Sequence, residues 1–227
     1  MPLKPENPIV CYVTDRKALG SAGAMAEVRE RIHNAIEAGA DWVQIREKDL
    51  AARDLLSLAS DAGSVAKSTR RAESPAPARV FLNDRLDVAL ASGAAGVHLG
   101  KDSIPAAEAI RWCRAGNAPA EFSIGVSCHS LEETRHAENS GADYVIFGPV
   151  FDTPSKRAFG PAQGIARLAE VCRSVRIPVV AIGGVNAVNA SECLRAGAAG
   201  IAAIRMFQEA ESVDELRRTI AKLHQWK

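Results

Sequence analysis

Short apolar runs alternate along this chain with longer stretches in which hydrophobic positions recur every three to four residues. Four of the runs share a lead-in. Ala38-Gly39-Ala40-Asp41 precedes Trp42-Val43-Gln44-Ile45, and Ser92-Gly93-Ala94-Ala95 precedes Gly96-Val97-His98-Leu99. Ser140-Gly141-Ala142-Asp143 precedes Tyr144-Val145-Ile146-Phe147, and Ala196-Gly197-Ala198-Ala199 precedes Gly200-Ile201-Ala202-Ala203. Each glycine follows a helix-period stretch, which predicts a helix ending on a left-handed glycine before the chain enters a strand. A second set of runs falls between these: Ile9-Val10-Cys11-Tyr12-Val13, Val80-Phe81-Leu82, Phe122-Ser123-Ile124-Gly125-Val126 and Pro178-Val179-Val180-Ala181-Ile182. Helical patterning covers 24–37, 51–70, 131–139, 164–175 and 213–224. The runs are apolar throughout rather than alternating, as strands buried on both faces should be. Strands alternating with helices in this way predict an α/β fold, a (β/α)8 TIM barrel spanning 1–227 as a single domain. An open, doubly wound sheet is the competing arrangement. No strand runs straight into the G-x-G-x-x-G that its dinucleotide-binding version needs.

Two connections stand apart. Residues 71–78 form a Pro/Ala-rich loop into the third strand, too short for an interdomain linker. Residues 148–164 carry Pro149, Pro154, Gly160 and Pro161 and form a longer loop of the kind that often serves function.

In a barrel of this type the chemistry sits at the carboxyl ends of the strands. The residues that follow the apolar runs are Gln44, Arg46, Glu47 and Lys48, then Asn83, Asp84 and Arg85, then His98, Gly100, Lys101, Asp102 and Ser103. Ser127, Cys128, His129 and Ser130 follow the fifth run, Thr153-Pro154-Ser155-Lys156 the sixth, Gly183-Gly184 the seventh and Arg205 the eighth. Singly each has a plain structural explanation: a solvated charge cluster at Arg46–Lys48, a packed histidine at His98, a helix cap at Asn83 or Asp84, a tight turn at Gly183-Gly184. Together they would face one mouth. Arg46, Lys48, Lys156 and Arg205 converging there imply an anionic ligand, with phosphate or diphosphate the natural match. Gly183-Gly184 would let backbone N–H groups and a following helix N-terminus approach a phosphate. Asp84 supplies a hard oxygen suited to Mg²⁺ bridging a diphosphate.

Composition narrows the field. Lys plus Arg is 28 and Asp plus Glu 27, so the net charge of +1 gives no general drive toward nucleic acid or an anionic membrane. No apolar run reaches the roughly 18 residues of a membrane span, and the polar, Pro-containing start at 1–8 lacks the order of a signal peptide. A cytoplasmic protein is the expectation. The five cysteines show no C-x-x-C spacing, which suggests free thiols rather than a disulfide framework or a zinc site. Cys128, in a polar strand end, is the one whose reactivity is open.

The motifs together resemble the thiamine phosphate synthase/TenI family. The matching stretches are Tyr12-Val13-Thr14-Asp15, Gln44-Ile45-Arg46-Glu47-Lys48, Asn83-Asp84-Arg85, Val97-His98-Leu99-Gly100, 125–133, 141–144, 148–156 and 181–185, in order over nearly the whole chain. The resemblance implies a TIM barrel that joins hydroxymethylpyrimidine diphosphate to a thiazole phosphate, releasing diphosphate. It implies that Gln44, Arg46, Lys48, Asn83 and Lys156 hold the pyrimidine diphosphate, with Asp84 on Mg²⁺ and Ser127 near the reacting centre. Thr153, Ser155 and Gly184 would hold the thiazole phosphate. A cationic pyrimidine would be quenched by water, so such chemistry calls for closure of the 148–164 loop. A homodimer is implied as well.

Two positions depart from the family pattern. The second metal carboxylate is expected at 103, where this chain has Ser103, with Asp102 one place earlier as the candidate ligand and Lys101 as a source of charge. Near the eighth strand a small serine is expected where this chain has Arg205. These departures keep two alternatives in view. One is the TenI-type thiazole tautomerase, which needs no Mg²⁺ and for which His129 resembles the catalytic histidine. The other is a non-catalytic barrel that binds phosphorylated thiamine precursors or a protein partner.

Overall fold

Gly39, Gly93, Gly141 and Gly197 all take positive φ, at 107°, 66°, 92° and 96°. Each ends a helix and redirects the chain inward, as the repeated lead-in predicts. In this computed structural model, which describes residues 7–19, 25–69, 76–152 and 161–226, the strands that follow are β2 (Trp42–Ile45), β4 (Gly96–Leu99), β6 (Tyr144–Phe147) and β8 (Gly200–Ala203). Between them lie β1 (Ile9–Val13), β3 (Arg79–Asn83), β5 (Ser123–Cys128) and β7 (Val179–Ile182). All neighbours pair in parallel in chain order, and β8 returns to β1, so the sheet closes. That closure is the expected TIM barrel and excludes the open sheet.

The helices lie outside the barrel: α1 (Met25–Ala38), α2 (Ala52–Ser68), α3 (Leu86–Ala91), α4 (Ala106–Trp112), α5 (Leu131–Asn139), α6 (Gly164–Ser174), α7 (Ala190–Arg195), α8 (Arg205–Gln208) and α9 (Val213–His224). The N-termini of α5 and α9 are set by capping sequences. Ser130 and Ser212 accept hydrogen bonds from the Glu133 and Glu215 N–H groups at 3.1 and 3.2 Å. Among the described residues no helix is long and apolar enough to cross a membrane.

One strand boundary matters for the site. The apolar run at the fifth strand ends at Val126, but β5 continues to Cys128 because Ser127 and Cys128 pair with Ile146 and Phe147 of β6. Ser127 is therefore a strand residue held by the barrel, not a loop residue.

Two hydrophobic layers result. The outer one, between strands and helices, includes Val10, Val43, Leu82, Ile124, Val145 and Phe147 packed on helix residues such as Ile32, Leu58 and Leu168. The inner one fills the barrel with Ile9, Cys11, Val13, Trp42, Phe81, Tyr144, Ile146, Val180 and Ala202. The Trp42 ring lies 4.9 Å from Phe81 and 4.7 Å from Tyr144. Gly125 makes this possible: a Cβ there would stand 2.1 Å from a carbon of the Tyr144 ring. Alternating large and absent side chains is how a small barrel fills its interior. At the amino-terminal end the Arg79 guanidinium lies 5.2 Å over the Phe81 ring and donates to Ser123 Oγ at 2.9 Å. The interior is packed from that end upward, and polar side chains gather above it at the carboxyl end.

Candidate active site

Hydrogen bonds lace the carboxyl ends of neighbouring strands to one another. Between β1 and β2, fully buried Thr14 accepts the Arg46 N–H at 2.9 Å and donates its own N–H to the Gln44 carbonyl at 3.0 Å. Glu47 is buried and its two oxygens accept the Arg16 N–H at 3.0 and 3.1 Å. Desolvation holds its carboxyl above the ordinary value, against the pull of the Thr14 and Arg16 hydrogen bonds. Glu47 thus pins the loop after β1 to the end of β2. Arg46 is left half-buried and Lys48 exposed.

Between β2 and β3, Gln44 Nε2 donates to Asn83 Oδ1 at 3.0 Å, and Asn83 Nδ2 donates to Asp84 Oδ2 at 2.6 Å. Gln44 is buried, and its Oε1 has no partner among the described residues. A buried acceptor left open at a mouth is a place for a ligand donor. Asp84 takes a left-handed backbone, φ 63°, which an Asp tolerates better than most residues. Asn83 and Asp84 do not cap the next helix: α3 starts after Arg85 without a side-chain cap.

Between β3 and β4, the Ser103 hydroxyl donates to Asp84 Oδ1. The Gly100 N–H donates to Ser103 Oγ at 2.7 Å and reaches Asp84 Oδ1 at 3.4 Å. Between β4 and β5, His98 Nε2 lies 2.8 Å from Ser127 Oγ. His98 is 1% exposed, and its Nδ1 has no partner among the described residues. Burial pulls its pKa down to about 4, with the Asp84 charge opposing and the Arg46 charge assisting. It is a neutral imidazole at neutral pH, the packed histidine of the plain explanation, but one bonded to a mouth residue.

Between β5 and β6, exposed His129 donates from Nδ1 to the Gly148 carbonyl, which leaves Nε2 as its basic nitrogen. The His129 N–H donates to Glu133 at 2.6 Å. Cys128 is not reactive: it is buried, and desolvation pushes its thiol up to about 12.

Between β6 and β7, the Val150 and Phe151 N–H groups donate to the Ile182 and Gly183 carbonyls at 2.8 and 2.9 Å. The segment after β6 comes so close that a Cβ on Gly183 would lie 2.5 Å from Pro149 Cα, and one on Gly184 2.7 Å from Phe151 Cβ. Both glycines also take positive φ, 95° and 66°. The pair is thus required by backbone packing. The helix N-terminus expected just beyond it is displaced, since α7 begins only at Ala190.

Thr153, Ser155 and Lys156 lie outside the described residues. The described ends of that connection meet, with the Gln163 and Gly164 N–H groups donating to the Pro149 and Val150 carbonyls at 2.7 and 3.0 Å. Asp102 is exposed beside exposed Lys101. Among the described residues no group of three or more His, Cys, Asp or Glu side chains is placed to hold a metal ion. Arg205 is exposed at the start of α8. The sequence reading gives Thr14 and Gln208 no part in the rim, and its solvated charge cluster at Arg46–Lys48 does not hold for Glu47, which is buried against the Arg16 N–H. Gln208 is buried and donates to the Asp15 carbonyl at 2.9 Å, tying the eighth strand's exit to the first. Thr14 follows the first apolar run directly, so the same rule that singles out Arg46 could have found it.

Residues 10–207 match the model of a family described as thiamine monophosphate synthase. The thiamine-phosphate synthase of Methanocella arvoryzae is 44% identical over 92% of both chains. That of Roseiflexus sp. is 41% identical over 86% of this chain and 76% of its own. Among solved structures, a thiamine phosphate pyrophosphorylase from Pyrococcus furiosus superposes with a TM-score of 0.76 at 34% identity, covering 95% of this chain and 96% of that one. With the closed barrel and the laced rim, these matches place the chain in the thiamine monophosphate synthase family.

Proposed function

We propose that the protein is a thiamine-phosphate synthase, which joins hydroxymethylpyrimidine diphosphate to thiazole phosphate. The thiazole nitrogen attacks the pyrimidine methylene carbon, the carbon–oxygen bond to diphosphate breaks, and thiamine phosphate and diphosphate leave. The observation that carries this reading is the continuous set Gln44–Asn83–Asp84–Ser103, which begins at the open Gln44 Oε1 and holds the Asp84 carboxylate between Asn83 and Ser103. It offers an amide acceptor for a heterocycle's amino group and a carboxylate for a cation beside the same substrate.

Within this reading Arg46, Lys48 and Lys156 hold the diphosphate, and cations fixed there stabilise the charge that grows on it as the bond breaks. The donor set at Asp84 suits Mg²⁺, which takes one or two protein carboxylates and completes its shell with substrate phosphates and water. Asp102, one residue before Ser103, is the second candidate ligand. When bound, Mg²⁺ neutralises diphosphate charge. Ser127 contacts the substrate at the reacting centre, and Thr153, Ser155, Gly183, Gly184 and Arg205 receive the thiazole phosphate. The chain acts as one domain, as a homodimer in the cytoplasm.

The His129 geometry favours a second reading, thiazole tautomerisation, because Nδ1 is committed to Gly148 and Nε2 is left to move a proton. One assay separates the two. Purified protein with both synthase substrates and Mg²⁺ should form thiamine phosphate and release diphosphate, and a chelator should stop it. Metal-independent isomerisation of a thiazole carboxylate phosphate, without thiamine phosphate formation, would replace the synthase reading.

A further inference from the structure

His98 and Ser127 lie just below the mouth on adjacent strands. His98 is in register with Gly125, two residues before Ser127, so Ser127 shares the inward face of β5. The absent side chain at Gly125 admits the Tyr144 ring, and that ring stands 5.7 Å from the His98 ring. The imidazole is thus wedged among packed groups, with Nε2 at 2.8 Å from Ser127 Oγ and Nδ1 without a partner among the described residues.

A serine beside a histidine suggests an activated nucleophile, but the second nitrogen argues against it. Such a base is normally oriented by a third group at its other nitrogen. Here none of the described residues stands at Nδ1, and a proton taken from Ser127 would create a buried cation with none of them to receive its second N–H.

We propose instead that His98 is a positioning residue that sets the polarity of the Ser127 hydroxyl. Of the two neutral tautomers, one leaves a buried N–H without an acceptor and the other leaves only a bare lone pair at Nδ1. Orphaned buried N–H groups are the rarer and costlier case. Nε2 therefore carries the hydrogen and donates it to Ser127 Oγ. The serine's own hydrogen is then free to be donated upward, to an acceptor atom of the substrate. This deepens the synthase reading and rests on it.

Two variants test the inference. His98→Phe keeps a ring in the packed site but removes both nitrogens. His98→Gln puts an amide donor near the place of Nε2. His98→Phe should lower kcat about tenfold, the kinetic counterpart of one hydrogen bond. His98→Gln should recover most of that loss, and His98→Phe should cost nothing further in a Ser127→Ala background. Independently of turnover, the imidazole nitrogen NMR spectrum of the full chain should show His98, assigned by its disappearance in either variant, protonated at Nε2 and bare at Nδ1. Ser127→Ala should shift that Nε2 signal. A signal protonated at Nδ1, or an undiminished loss from His98→Phe when Ser127 is already Ala, overturns the inference. If the wild-type protein forms no thiamine phosphate, the synthase reading fails, while the nitrogen spectrum still judges the polarity of the pair.

Discussion

The Ser103 hydroxyl donates to the Asp84 carboxylate across the boundary between β3 and β4. Asn83 Nδ2 holds the other Asp84 oxygen at 2.6 Å, and the Gly100 N–H holds Ser103 at 2.7 Å. A hydroxyl at this position gives up one negative charge and stiffens the carboxylate that remains. Cation affinity rises with the number of charged ligands. Ser103→Asp should therefore tighten Mn²⁺ binding to the substrate-free protein about tenfold, or ~1.4 kcal/mol. Titration followed by electron paramagnetic resonance measures this, and unchanged affinity would remove 103 from the cation's surroundings.

Asp84 itself calls for a careful choice of variant. Its φ of 63° is a conformation that Asn shares readily and Ala does not. Asp84→Asn should keep near wild-type stability and lose turnover by about a hundredfold or more if the charge holds the cation. Asp84→Ala should lose activity too, but with a further stability cost of about 1 kcal/mol from the backbone alone. Steady-state kinetics and urea unfolding of both variants separate the two effects. Full turnover in Asp84→Asn at limiting Mg²⁺ would sink the metal role.

Gly183→Ala combines a positive φ with a Cβ 2.5 Å from both Cα and Cβ of Pro149. Neither the strand end nor the proline can yield without disturbing the bonds from Val150 and Phe151 to the Ile182 and Gly183 carbonyls. The expected cost is about 3 kcal/mol, from strain and overpacking together. Urea unfolding measures it; a cost near zero would mean that the 149–152 segment moves freely.

His98 makes stability depend on pH. Burial lowers its pKa from 6.5 to about 4. Between those values the unfolded chain binds the proton and the folded protein does not, so stability rises with pH through that window. The contribution is complete above pH 6.5 and is lost as the pH falls toward 4; it amounts to roughly 3 kcal/mol. Buried Glu47 acts in the opposite sense, since its raised pKa makes stability fall as pH rises above the ordinary carboxylate value. Comparing wild type with His98→Gln cancels the Glu47 part. The wild type should show the steeper loss between pH 6.5 and 4.5 in urea unfolding, and parallel curves would contradict the assignment.

The barrel is legible in the sequence itself. The glycines at 39, 93, 141 and 197 and the apolar runs after them act over a few residues, through backbone conformation and burial, so they can be read locally. The same holds for α5 and α9, whose serine caps and Glu three residues on mark their starts. Less was legible where distant segments compete for one position. Asn83 and Asp84 look like helix caps until Gln44 and Ser103 are seen to engage them. Gly183-Gly184 reads as a glycine pair followed at once by a helix, whereas Pro149 and Phe151 come close to both glycines and α7 starts later.

Local pattern thus encodes the alternation of strands and helices, the burial of the strands on both faces, and the gathering of polar residues after them. Each of these depends on neighbours within a turn or two of chain. Which of those residues meet is set only when the barrel closes. Register in a closed parallel sheet sets Asn83 beside His98 and His98 beside Gly125, so residues far apart in the chain share a layer. That register turns His98 from an apolar-run oddity into the partner of Ser127, and no local pattern encodes it, because it follows from how all the strands stagger to close the barrel.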